Sequence, residues 1–458
     1  MKIVSQISES FDTIVKNCKE LSKRLIIEKI ENLDKRLYVY VDKKRFTLIK
    51  IVPRTILTTA GIITYRRRYY YDEVEQNYIF ILDNQLGIPK NIRMSNELIL
   101  KIFDLAATMT YSEVGKHLSD EFDMNPSPTI SGEIKSYTVD GSGNISVTIQ
   151  AFDEFDLSKF TIWRTIKNIE IESILPPKIR LTKERIHLQI DEKYVNINPS
   201  KKRNEKHDDK NKKRYYTSTI FAGREEIGTK GKHKLLNKSY ISACNLTDLK
   251  TKINQVLKEE YKVDLRYKIF LSGDLASYIQ NFREDITVCN AKYVPDKFHV
   301  IHDLFNIVGK SFNESWLYDD EKLAELVLIL KNSDDPNAPK YKNLITKNPT
   351  IFMTYLDKNY LGCSQEGQNS HIYSVRFGKY ANRFLPSTIE KLAMVREATA
   401  LGCDITIKHI NREIPRKVEI INVEYDFSER DKPYIDLTAM KYDSQKLFRN
   451  LIYGSYNV

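Results

Sequence analysis

Residues 266–282, RYKIFLSGDLASYIQNF, indicate the fold class, because the hydrophobic period of the chain changes within them at a single aspartate. The first half is a short apolar run of the kind that forms a buried strand, and the second half has the apolar spacing of a helix. Asp274 stands where the predicted strand ends. A strand that runs directly into a helix is typical of α/β domains, which bind their ligands at the ends of strands.

The segments on either side of this junction continue the alternation of strands and helices. Periodicity predicts three strands and a helix before residues 266–282, and a short further strand after them. These segments are RIHLQID (185–191), KRYYTSTIFAG (213–223), KLLNKSYISAC (234–244), DLKTKINQVLKEEY (248–261) and AKYVPDKF (291–298). Helical patterns fill about 299–358 and 387–401. The order predicts a mixed sheet flanked by helices, as expected of a ribonuclease-H-like α/β domain.

The N-terminal part of the chain predicts a helix, a β-rich stretch and two capped helices. Residues 1–33 have helical spacing, and residues 37–83 contain runs of branched and aromatic residues typical of strands. Ser95 and the capping-box pattern of residues 110–113 mark two helix starts. Two alternating runs within residues 130–152 flank the turn sequence DGSGN, which predicts a hairpin.

The helices predicted at 111–122 and 157–170 would form a helix-turn-helix if the hairpin between them were removed. A helix-turn-helix normally has a turn of about three or four residues, which this pair lacks. The second helix is predicted to turn Phe160 and Trp163 inward. Its outward basic residues are then candidates for DNA contact, and ordinary helix packing is the equal alternative. These basic residues are Lys159, Arg164 and Lys167.

Changes of pattern along the chain predict four parts. They are an N-terminal helix and β-rich region (1–92), a helix-turn-helix-like region with its inserted hairpin (93–180), the mixed-sheet domain (181–402) and a C-terminal extension (403–458). The chain is therefore predicted to be α+β overall, with the α/β domain following the two smaller regions.

The composition of the chain favours some classes of protein and excludes others. Among 458 residues, 72 are Lys or Arg and 61 are Asp or Glu, a formal charge of +11 that favours a polyanionic partner without identifying it. The N-terminus lacks the apolar core of a signal peptide, and no apolar run is long enough for a membrane span. Five scattered cysteines without a CxxC pair exclude a zinc ribbon and argue against a disulfide framework. We expect a cytoplasmic protein.

Residues 200–214, SKKRNEKHDDKNKKR, contain eight basic and three acidic residues and no apolar residue. This segment is predicted to form the solvated tip of a hairpin between the first two strands of the sheet. A basic arm at this position would suit a phosphate backbone, and a merely soluble loop is the alternative. The candidate contacts are Lys201, Lys202, Arg203, Lys212, Lys213 and Arg214.

Asp191 and Asp274 are the first candidates for a catalytic site. Each is predicted to end a strand of the central sheet, where the rigid backbone holds a side chain firmly. Two such carboxylates on neighbouring strands suit a divalent ion, since magnesium prefers hard oxygen ligands. An equally simple alternative for Asp274 is a helix N-cap, because it directly precedes a predicted helix.

Residues 361–376, LGCSQEGQNSHIYSVR, add a third carboxylate and carry a family resemblance. The segment is similar to the signature GCSAEGHVSHVLSSR of the ISLre-type bacterial insertion-sequence transposases, with Glu366 and His371 in step. SGDLASYI resembles the family's GDGAxWI, and QIDEKYV resembles EADEDHV. Asp296 and His299 match a further aspartate–histidine step. Gln368 and Leu275 depart from the pattern, and the resemblance covers roughly residues 50–400.

The resemblance implies a transposase that cuts and joins DNA with three carboxylates on a ribonuclease-H-like fold with a helical insertion at about 300–358. Asp191 would then bridge two magnesium (or manganese) ions, Asp274 would bind one ion and Glu366 the other. His299 and His371 become secondary candidates to contact the scissile phosphate or donate a proton, and Arg376 a candidate phosphate clamp. The implied partners are double-stranded DNA, both element ends and target, and further copies of the chain, in a bacterial cytoplasm at the nucleoid.

Three alternatives remain at this level. A metal-dependent nuclease of the same fold would cut without joining. A DNA-binding protein without catalysis would retain the basic surfaces but not the metal chemistry. A zinc-binding module would be built on Asp296, His299 and His302. No cysteine pair lies near these residues, which argues against this alternative.

Overall fold

The structure is a computed structural model of the 458 residues. It describes residues 6–88, 92–122, 132–139, 145–151, 157–174, 186–197, 212–227, 233–378, 384–410 and 421–425. The chain divides into two compact units, Met1–Ile169 with His409–Val458, and Glu170–Lys408. Among the described residues, no helix is both long and apolar enough to cross a membrane. The predicted domain boundaries at 180/181 and 402/403 stay predictions.

In the first unit, a long helix packs against a small antiparallel sheet. Helix α1 covers Gln6–Tyr40, and the sheet contains β1 (Phe46–Thr58), β2 (Gly61–Asp72) and β3 (Asn77–Ile79) in that order. The helix predicted for residues 1–33 is therefore present and extends beyond its predicted end. The sheet contributes Ile56, Ile63 and Tyr65 to the core, and the helix packs Ile26, Ile27, Ile30, Leu33 and Leu37 against it.

Short helices follow the sheet, and side chains cap the second and third of those named here. They are α2 (Ile81–Gln85), α3 (Asn96–Ala106) and α4 (Tyr111–Glu121). The Ser95 hydroxyl accepts a hydrogen bond from the first turn of α3, and Thr110 with Glu113 forms a capping box at the start of α4. Both predicted helix starts are confirmed, because a side-chain oxygen satisfies backbone N–H groups that a helix leaves unpaired.

The hairpin predicted within residues 130–152 is confirmed as two strands. β4 (Gly132–Val139) pairs in antiparallel fashion with β5 (Ile145–Ala151), and α5 (Lys159–Asn168) follows. Helices α4 and α5 nevertheless pack closely. A Cβ atom on Gly115 of α4 would lie 2.1 Å from the carbonyl oxygen of Leu157, so only glycine permits this approach.

The buried face of α5 differs from the predicted one. Ile162 and Ile166 are fully buried, whereas the Phe160 side chain is 60% exposed and Trp163 is partly buried. The prediction that Phe160 turns inward is therefore wrong. Residues four apart share one helix face, so the isoleucine pair defines the core side and leaves Phe160 on the far side.

The second unit is built on a five-stranded mixed sheet. Its order is β11-β8-β7-β12-β13, with β11, β8 and β7 antiparallel and β7, β12 and β13 parallel. The predicted mixed sheet flanked by helices is confirmed. In chain order the strands of this region are β6 (Ile169–Ile174), β7 (His187–Asn196), β8 (Lys212–Phe221), β9 (Arg224–Glu226), β10 (His233–Leu235), β11 (Ser239–Ala243), β12 (Lys268–Gly273) and β13 (Asn290–Pro295).

Helices cover both faces of this sheet. They are α6 (Leu246–Glu259), α7 (Ser277–Asp285), α8 (Lys297–Val308), α9 (Asp320–Lys331), α10 (Ala338–Lys347), α11 (Gln365–Gln368), α12 (Val375–Phe377) and α13 (Pro386–Leu401). Two 3₁₀ segments, Glu314–Tyr318 and Ile351–Leu356, and one π-helical segment, Asn369–Ser374, complete them. The helical stretches predicted at 299–358 and 387–401 are confirmed. Finally, β14 (Asp404–Ile410) pairs with β6, and β15 (Ile421–Tyr425) pairs with β5.

The two faces of the central strand β7 have different partners. Leu188 and Ile190 are fully buried in the main apolar core with residues of α6, α7 and α8. The residues that alternate with them, His187 and Gln189, are also buried but are polar. The alternation predicted from RIHLQID is therefore present, and its polar side is covered by protein.

Strand β7 is longer than predicted. It continues five residues beyond Asp191 to Asn196, because β8 pairs with it along its whole length. The prediction that Asp191 ends a strand is wrong in this detail. Asp191 instead lies where the neighbouring strand β12 stops pairing, since the β12 register with β7 reaches only Gln189. The basic segment 198–211 between β7 and β8 lies outside the described residues.

Candidate active site at the edge of the mixed sheet

The polar face of β7 holds the segment that contains Glu366. Four alternate residues of β7 (His187, Gln189, Asp191 and Lys193) each bond to a group between Leu361 and Ser374. Alternate residues of a strand point to the same side. One face of one strand therefore fixes a stretch of chain more than 170 residues away in sequence.

The first two contacts fix the backbone before Glu366. His187 Nε2 accepts a hydrogen bond from Leu361 N–H at 3.1 Å. Gln189 is fully buried, and its Nε2 donates to the Gly362 carbonyl oxygen at 2.8 Å. Its Oε1 accepts from Ser364 N–H at 3.1 Å. Both ends of the Gln189 amide are thus used to position this segment.

The third contact joins the segment directly to the candidate catalytic aspartate. Asn369 is 6% exposed, and its Nδ2 donates to Asp191 Oδ2 at 2.7 Å. Its Oδ1 accepts from the Thr217 hydroxyl of β8 at 2.7 Å and from Gln365 Nε2 at 3.3 Å. The other Asp191 oxygen, Oδ1, accepts from Glu192 N–H at 2.7 Å. These bonds fix the orientation of the Asp191 carboxylate.

The fourth contact places a cation on the same face. Lys193 lies two residues after Asp191, and its Nζ donates to the Ser374 hydroxyl at 2.5 Å. Burial lowers the pKa of Lys193, while the charge of Asp191 opposes this change. Burial disfavours the charged form of an amine and a nearby carboxylate favours it. Lys193 is therefore a half-buried amine close enough to Asp191 to interact with its charge.

Glu366 lies in an irregular helical segment. α11, the π-helical residues Asn369–Ser374 and α12 follow one another without a break, and Glu366 is exposed in the first turn. A π-helical turn changes the direction of side chains relative to a regular helix and is frequent at functional sites. Here the change allows Asn369 and Ser374, on one continuous helical stretch, both to reach β7.

Asp274 follows β12 and lies beside Asp191. Ser272 pairs with Gln189 in the parallel ladder, so the same register brings Asp274 alongside Asp191. A Cβ atom on Gly273 would lie only 2.6 Å from the Ile190 carbonyl oxygen, which shows how closely the two strands approach. Asp274 Oδ1 accepts from Ala276 N–H at 2.9 Å, although the N-cap residue of α7 is Ala276.

Asp296 is a fourth carboxylate at the same edge. It follows β13 and caps α8, and its Oδ2 lies 3.8 Å from His299 Nε2. Burial raises the pKa of Asp296, and the negative charge of Glu366 raises it further, while His299 and a hydrogen bond with the Cys363 thiol lower it. Glu366 therefore lies within electrostatic range of Asp296.

The surroundings of Asp191 raise the pKa of its carboxyl above the ordinary aspartate value. Burial raises the pKa of Asp191 to about 6, the negative charge of Asp274 raises it as well, and Asn369 and His299 lower it. Like charges held together raise the cost of ionisation for each. Because His299 acts on both Asp191 and Asp296, it links the Asp191–Asp274 pair to the Asp296–Glu366 pair.

The carboxylates at this edge have the chemistry that would suit a divalent cation. Carboxylates from three adjacent strands and from the Glu366 segment repel one another, and a hard cation would offset that repulsion. Within the described part of the chain, no three histidine, cysteine or carboxylate side chains are already close enough to hold an ion. A metal would therefore have to draw these side chains closer together.

The predicted catalytic residues do not all lie together in the structure. Asp274 and His299 lie close enough to Asp191 to change its pKa, and His299 and Glu366 lie close enough to Asp296 to change the pKa of that carboxyl. The His371 side chain is exposed, and its backbone carbonyl accepts from Arg396 Nη2 at 2.9 Å. The described contacts do not connect the His371 side chain to the carboxylates.

Some of the residues predicted to contact DNA are exposed, and others lie outside the described residues. On α5, Lys159 and Arg164 are exposed, and Lys167 Nζ lies 4.8 Å from the Trp163 ring centre. Arg214 is half exposed, 3.4 Å from Glu192. Lys201, Lys202 and Arg203, and the side chains of Lys212 and Lys213, lie outside the described residues.

Arg376 does not have the position predicted for a phosphate clamp. Its side chain is 1% exposed, with the guanidinium 4.9 Å from the centre of the Phe384 ring. A side chain buried against an aromatic ring cannot reach a phosphate at the surface in this conformation. The prediction took Arg376 from the motif alone, and the motif does not show which of its residues are buried.

Sequence patterns missed several residues of this edge. Gln189 and Lys193 were not predicted, because a polar residue on an alternating strand is normally assigned to solvent. Asn369 was not predicted either. Asn369 and Ser374 lie within the quoted motif, so their position in it was the available signal. Asp296 had a signal, since it lies near the end of the strand predicted at 291–298 and belongs to the aspartate–histidine step of the resemblance.

The chain is similar to a family without an assigned activity. The sequence profile of UPF0236, described as an uncharacterised protein family, matches residues 3–125 and 157–316. A UPF0236 protein of Caldanaerobacter subterraneus subsp. tengcongensis is 22% identical over 419 residues, which is 88% of this chain and 75% of that protein. Its name joins eleven locus numbers. A second UPF0236 protein of that organism is also 22% identical, over 88% of this chain and 76% of its own length.

One solved structure was also found to be similar. It is the strand transfer complex of the Drosophila P element transposase, with 10% sequence identity and a TM-score of 0.24. The match covers 70% of this chain and 82% of that one. A TM-score this low does not establish a common fold.

Proposed function

The chain belongs to UPF0236, an uncharacterised protein family, and we propose that it is a transposase that cleaves and joins DNA strands. The proposed ligands of divalent metal are Asp191, Asp274 and Glu366, on a ribonuclease-H-like domain. The observation that carries the proposal is the ladder of contacts from β7 to residues 361–374. It fixes the Glu366 segment against the strand that contains Asp191.

The sheet supports this proposal. Three antiparallel strands followed by two parallel ones form the arrangement that the ribonuclease-H-like hypothesis requires. Carboxylates then gather where parallel strands end, which is where α/β sheets bind ligands. The long helical stretch between Asp274 and Glu366 agrees with a helical insertion between the second and third carboxylate.

The family gives independent support. One relative's name joins eleven locus numbers of one organism. A gene that occurs at many loci with one protein product is expected of an element that copies or moves itself. A housekeeping nuclease or regulator would not require this multiplicity.

The residues of the site have distinct roles in this proposal. Asp191, Asp274 and Glu366 would hold magnesium or manganese, which activates the attacking oxygen and stabilises the leaving oxygen in phosphoryl transfer. Asn369 fixes the Asp191 carboxylate. Lys193 supplies a positive charge next to the carboxylates and is suited to contact a phosphate of the DNA. His299, which lies near both Asp191 and Asp296, would contact the scissile phosphate.

Cleavage of the gene's own flanking DNA tests the proposal. Labelled duplexes that contain each flank are incubated with magnesium or manganese and a supercoiled plasmid, with wild type, Glu366→Gln and the control Glu321→Gln. Glu321 is an exposed residue of α9, away from the carboxylates. We expect wild type and Glu321→Gln to nick a flank and join it to the plasmid, and Glu366→Gln to bind the flank without cutting. Lys193→Met should cut more slowly than wild type.

Other outcomes identify the rival functions. Cleavage without joining would indicate a nuclease. Binding without cleavage by the wild type would indicate a DNA-binding protein. Equal cleavage by wild type and Glu366→Gln would remove Glu366 from the catalytic set.

A further inference from the structure

The N-terminal half of α1 exposes a line of apolar side chains. Phe11 is 61% exposed, Ile14 54%, Leu21 58% and Leu25 47%. Cys18, between them, is an exposed free thiol. We name Phe11, Ile14, Cys18, Leu21 and Leu25 the α1 stripe. Single exposed apolar residues are ordinary, but a continuous line of them marks an interaction surface.

The C-terminal half of the same helix behaves differently. There Ile26, Ile27, Ile30, Leu33 and Leu37 pack against the core of the first unit. This packing anchors the helix, so the N-terminal half is held in place by its own backbone. Among the described residues, the α1 stripe is not part of a buried apolar cluster.

The spacing of the α1 stripe is that of a coiled-coil seam. Its members follow one another at intervals of three, four, three and four residues. This is the heptad pattern in which two positions of each seven face a partner helix. A helix that lies on a membrane has a wider apolar face with basic residues along it. The narrow seam favours another helix as its partner.

The residues around the seam suit self-pairing. Three of the four flanking positions, Val15, Asn17 and Ser22, carry no charge that would repel a second copy, and the fourth is Arg24. Charged residues lie on the outer surface, where Lys23 and Glu20 form an ion pair at 2.6 Å. A seam that is identical in both partners is self-complementary about a two-fold axis.

We propose that the α1 stripe pairs with the α1 stripe of a second copy of this chain to form a two-stranded coiled coil. An aromatic side chain offers about 150–250 Å², and the aliphatic side chains and the thiol of the α1 stripe offer less. With roughly half of each exposed, a pair of copies would bury on the order of 1,000 Å², at the lower limit of specific interfaces. The dimer is therefore expected to be concentration-dependent. This inference is independent of the proposed catalytic function.

Cys18 provides a built-in reporter of the pairing. It lies seven residues after Phe11 and seven before Leu25, at the midpoint of the α1 stripe. Parallel and antiparallel pairing about a two-fold axis therefore both bring Cys18 of one copy next to Cys18 of the other. Neighbouring thiols within about 4 Å between Cβ atoms can form a disulfide on mild oxidation.

Analytical ultracentrifugation of the full chain tests the proposal. We expect wild type to dimerise at micromolar concentrations and Leu21→Asp to raise the dissociation constant by at least about tenfold, because it buries a charge in the seam. Lys16→Asp, on the outer surface of the same half of α1, is the control and should dimerise like wild type. Circular dichroism confirms that each variant is folded. A monomeric wild type, or a Leu21→Asp dimer of unchanged affinity, would refute the proposal.

Oxidative crosslinking gives the second measurement. Copper phenanthroline should convert wild type to a disulfide-linked dimer, and Cys18→Ser should abolish that product while leaving the noncovalent dimer. A monomer whose Cys18 resists a thiol reagent would indicate that the chain's own residues cover the α1 stripe. A monomer that binds lipid vesicles would indicate a membrane surface. Either result would overturn the coiled-coil dimer.

Discussion

Asn369 joins two candidate catalytic elements through one side chain. Its amide donates to Asp191 at 2.7 Å and accepts from Thr217 at 2.7 Å, across sequence separations of 178 and 152 residues. A buried amide with both ends bonded has one favourable orientation. Asp191 is consequently held in one orientation before any ligand arrives, which is the function of residues that orient metal ligands.

Replacement of Asn369 by leucine tests this role. Leucine has a similar volume but leaves the buried Asp191 and Thr217 groups without the amide. If the proposed function is correct, DNA cleavage and magnesium affinity should fall by about 10- to 100-fold, as for other residues that orient metal ligands. Single-turnover cleavage and calorimetric metal titration measure these effects.

Gln365→Leu is the matched control for that experiment. Gln365 is 2% exposed and bonds to Asn369 and Thr217 at 3.3 Å, but no described hydrogen bond joins it to Asp191. Gln365→Leu should lower the free energy of unfolding but reduce DNA cleavage less than Asn369→Leu does. Equal losses in the two variants would show that Asn369 acts only through folding.

At the scale of secondary structure elements, the approach of β12 to β7 depends on Gly273. A Cβ atom there would meet the Ile190 carbonyl oxygen at 2.6 Å and the Ile279 side chain at 2.9 Å. This carbonyl oxygen belongs to a central strand, so it cannot move without disturbing the hydrogen bonds between that strand and its neighbours. The sequence SGD therefore combines a close strand contact with the carboxylate that follows it.

Gly273→Ala should lower the free energy of unfolding by about 1–3 kcal/mol, the usual cost of overpacking. It should also weaken metal binding, since Asp274 is the next residue. Urea denaturation measures the first effect. Gly367→Ala is the control, because a Cβ atom at Gly367 meets nothing within 4 Å, and its stability should match or exceed wild type. A Gly273→Ala protein as stable as wild type would refute the close-contact argument.

Helix α13 is joined to the sheet by a polar network around Glu397. The Glu397 carboxyl accepts from the Tyr373 hydroxyl at 2.8 Å and from the Ser242 hydroxyl, which itself accepts from Tyr215 at 2.8 Å. Burial raises the pKa of Glu397 above its ordinary value. The folded protein therefore binds a proton here more tightly than the unfolded chain does.

This pKa shift predicts a pH dependence of stability. The stabilising effect of the protonated carboxyl is complete below the unfolded pKa of about 4.3 and is lost as pH rises through the higher folded pKa. Glu397→Gln keeps an acceptor oxygen and removes the titration. Relative to Glu397→Gln, wild type should become less stable as pH rises, and urea midpoints at several pH values measure this. A constant difference across the pH range would contradict the argument, and Glu321→Gln serves as the exposed control.

At the scale of the whole molecule, the chain consists of two compact units. The second unit has its own five-stranded sheet and a continuous apolar core. A unit with its own core is expected to fold by itself. A fragment of residues 169–410 includes both strands of the β6–β14 pair and all four carboxylates of the candidate site.

We expect this fragment to unfold in one cooperative transition. Differential scanning calorimetry should show a single peak for the fragment that corresponds to one of the transitions of the full chain. If the fragment unfolds without a cooperative transition, the second unit depends on the rest of the chain. Limited proteolysis of the full chain provides a check, since cleavage should occur preferentially near the boundaries of the two units.

The sequence by itself determined the local elements of this protein. Hydrophobic periodicity identified the five strands of the mixed sheet and most of its helices in their correct order, but not β9, β10 or the helical residues 365–377. Side-chain chemistry identified the caps at Ser95 and Thr110. These features depend on residues within one or two turns of each other, so the information is contained in short stretches. The strand end at Asp274 was visible for the same reason.

Only the tertiary structure decided what covers each polar or apolar face. It buried the polar side of β7 beneath residues 361–374, placed Asn369 against Asp191 and enclosed Arg376, while it left Phe160 exposed. A local pattern shows that a face is polar, but its partner lies more than 170 residues away. The contacts that orient the candidate site arise from that long-range packing, and no stretch of sequence contains both partners.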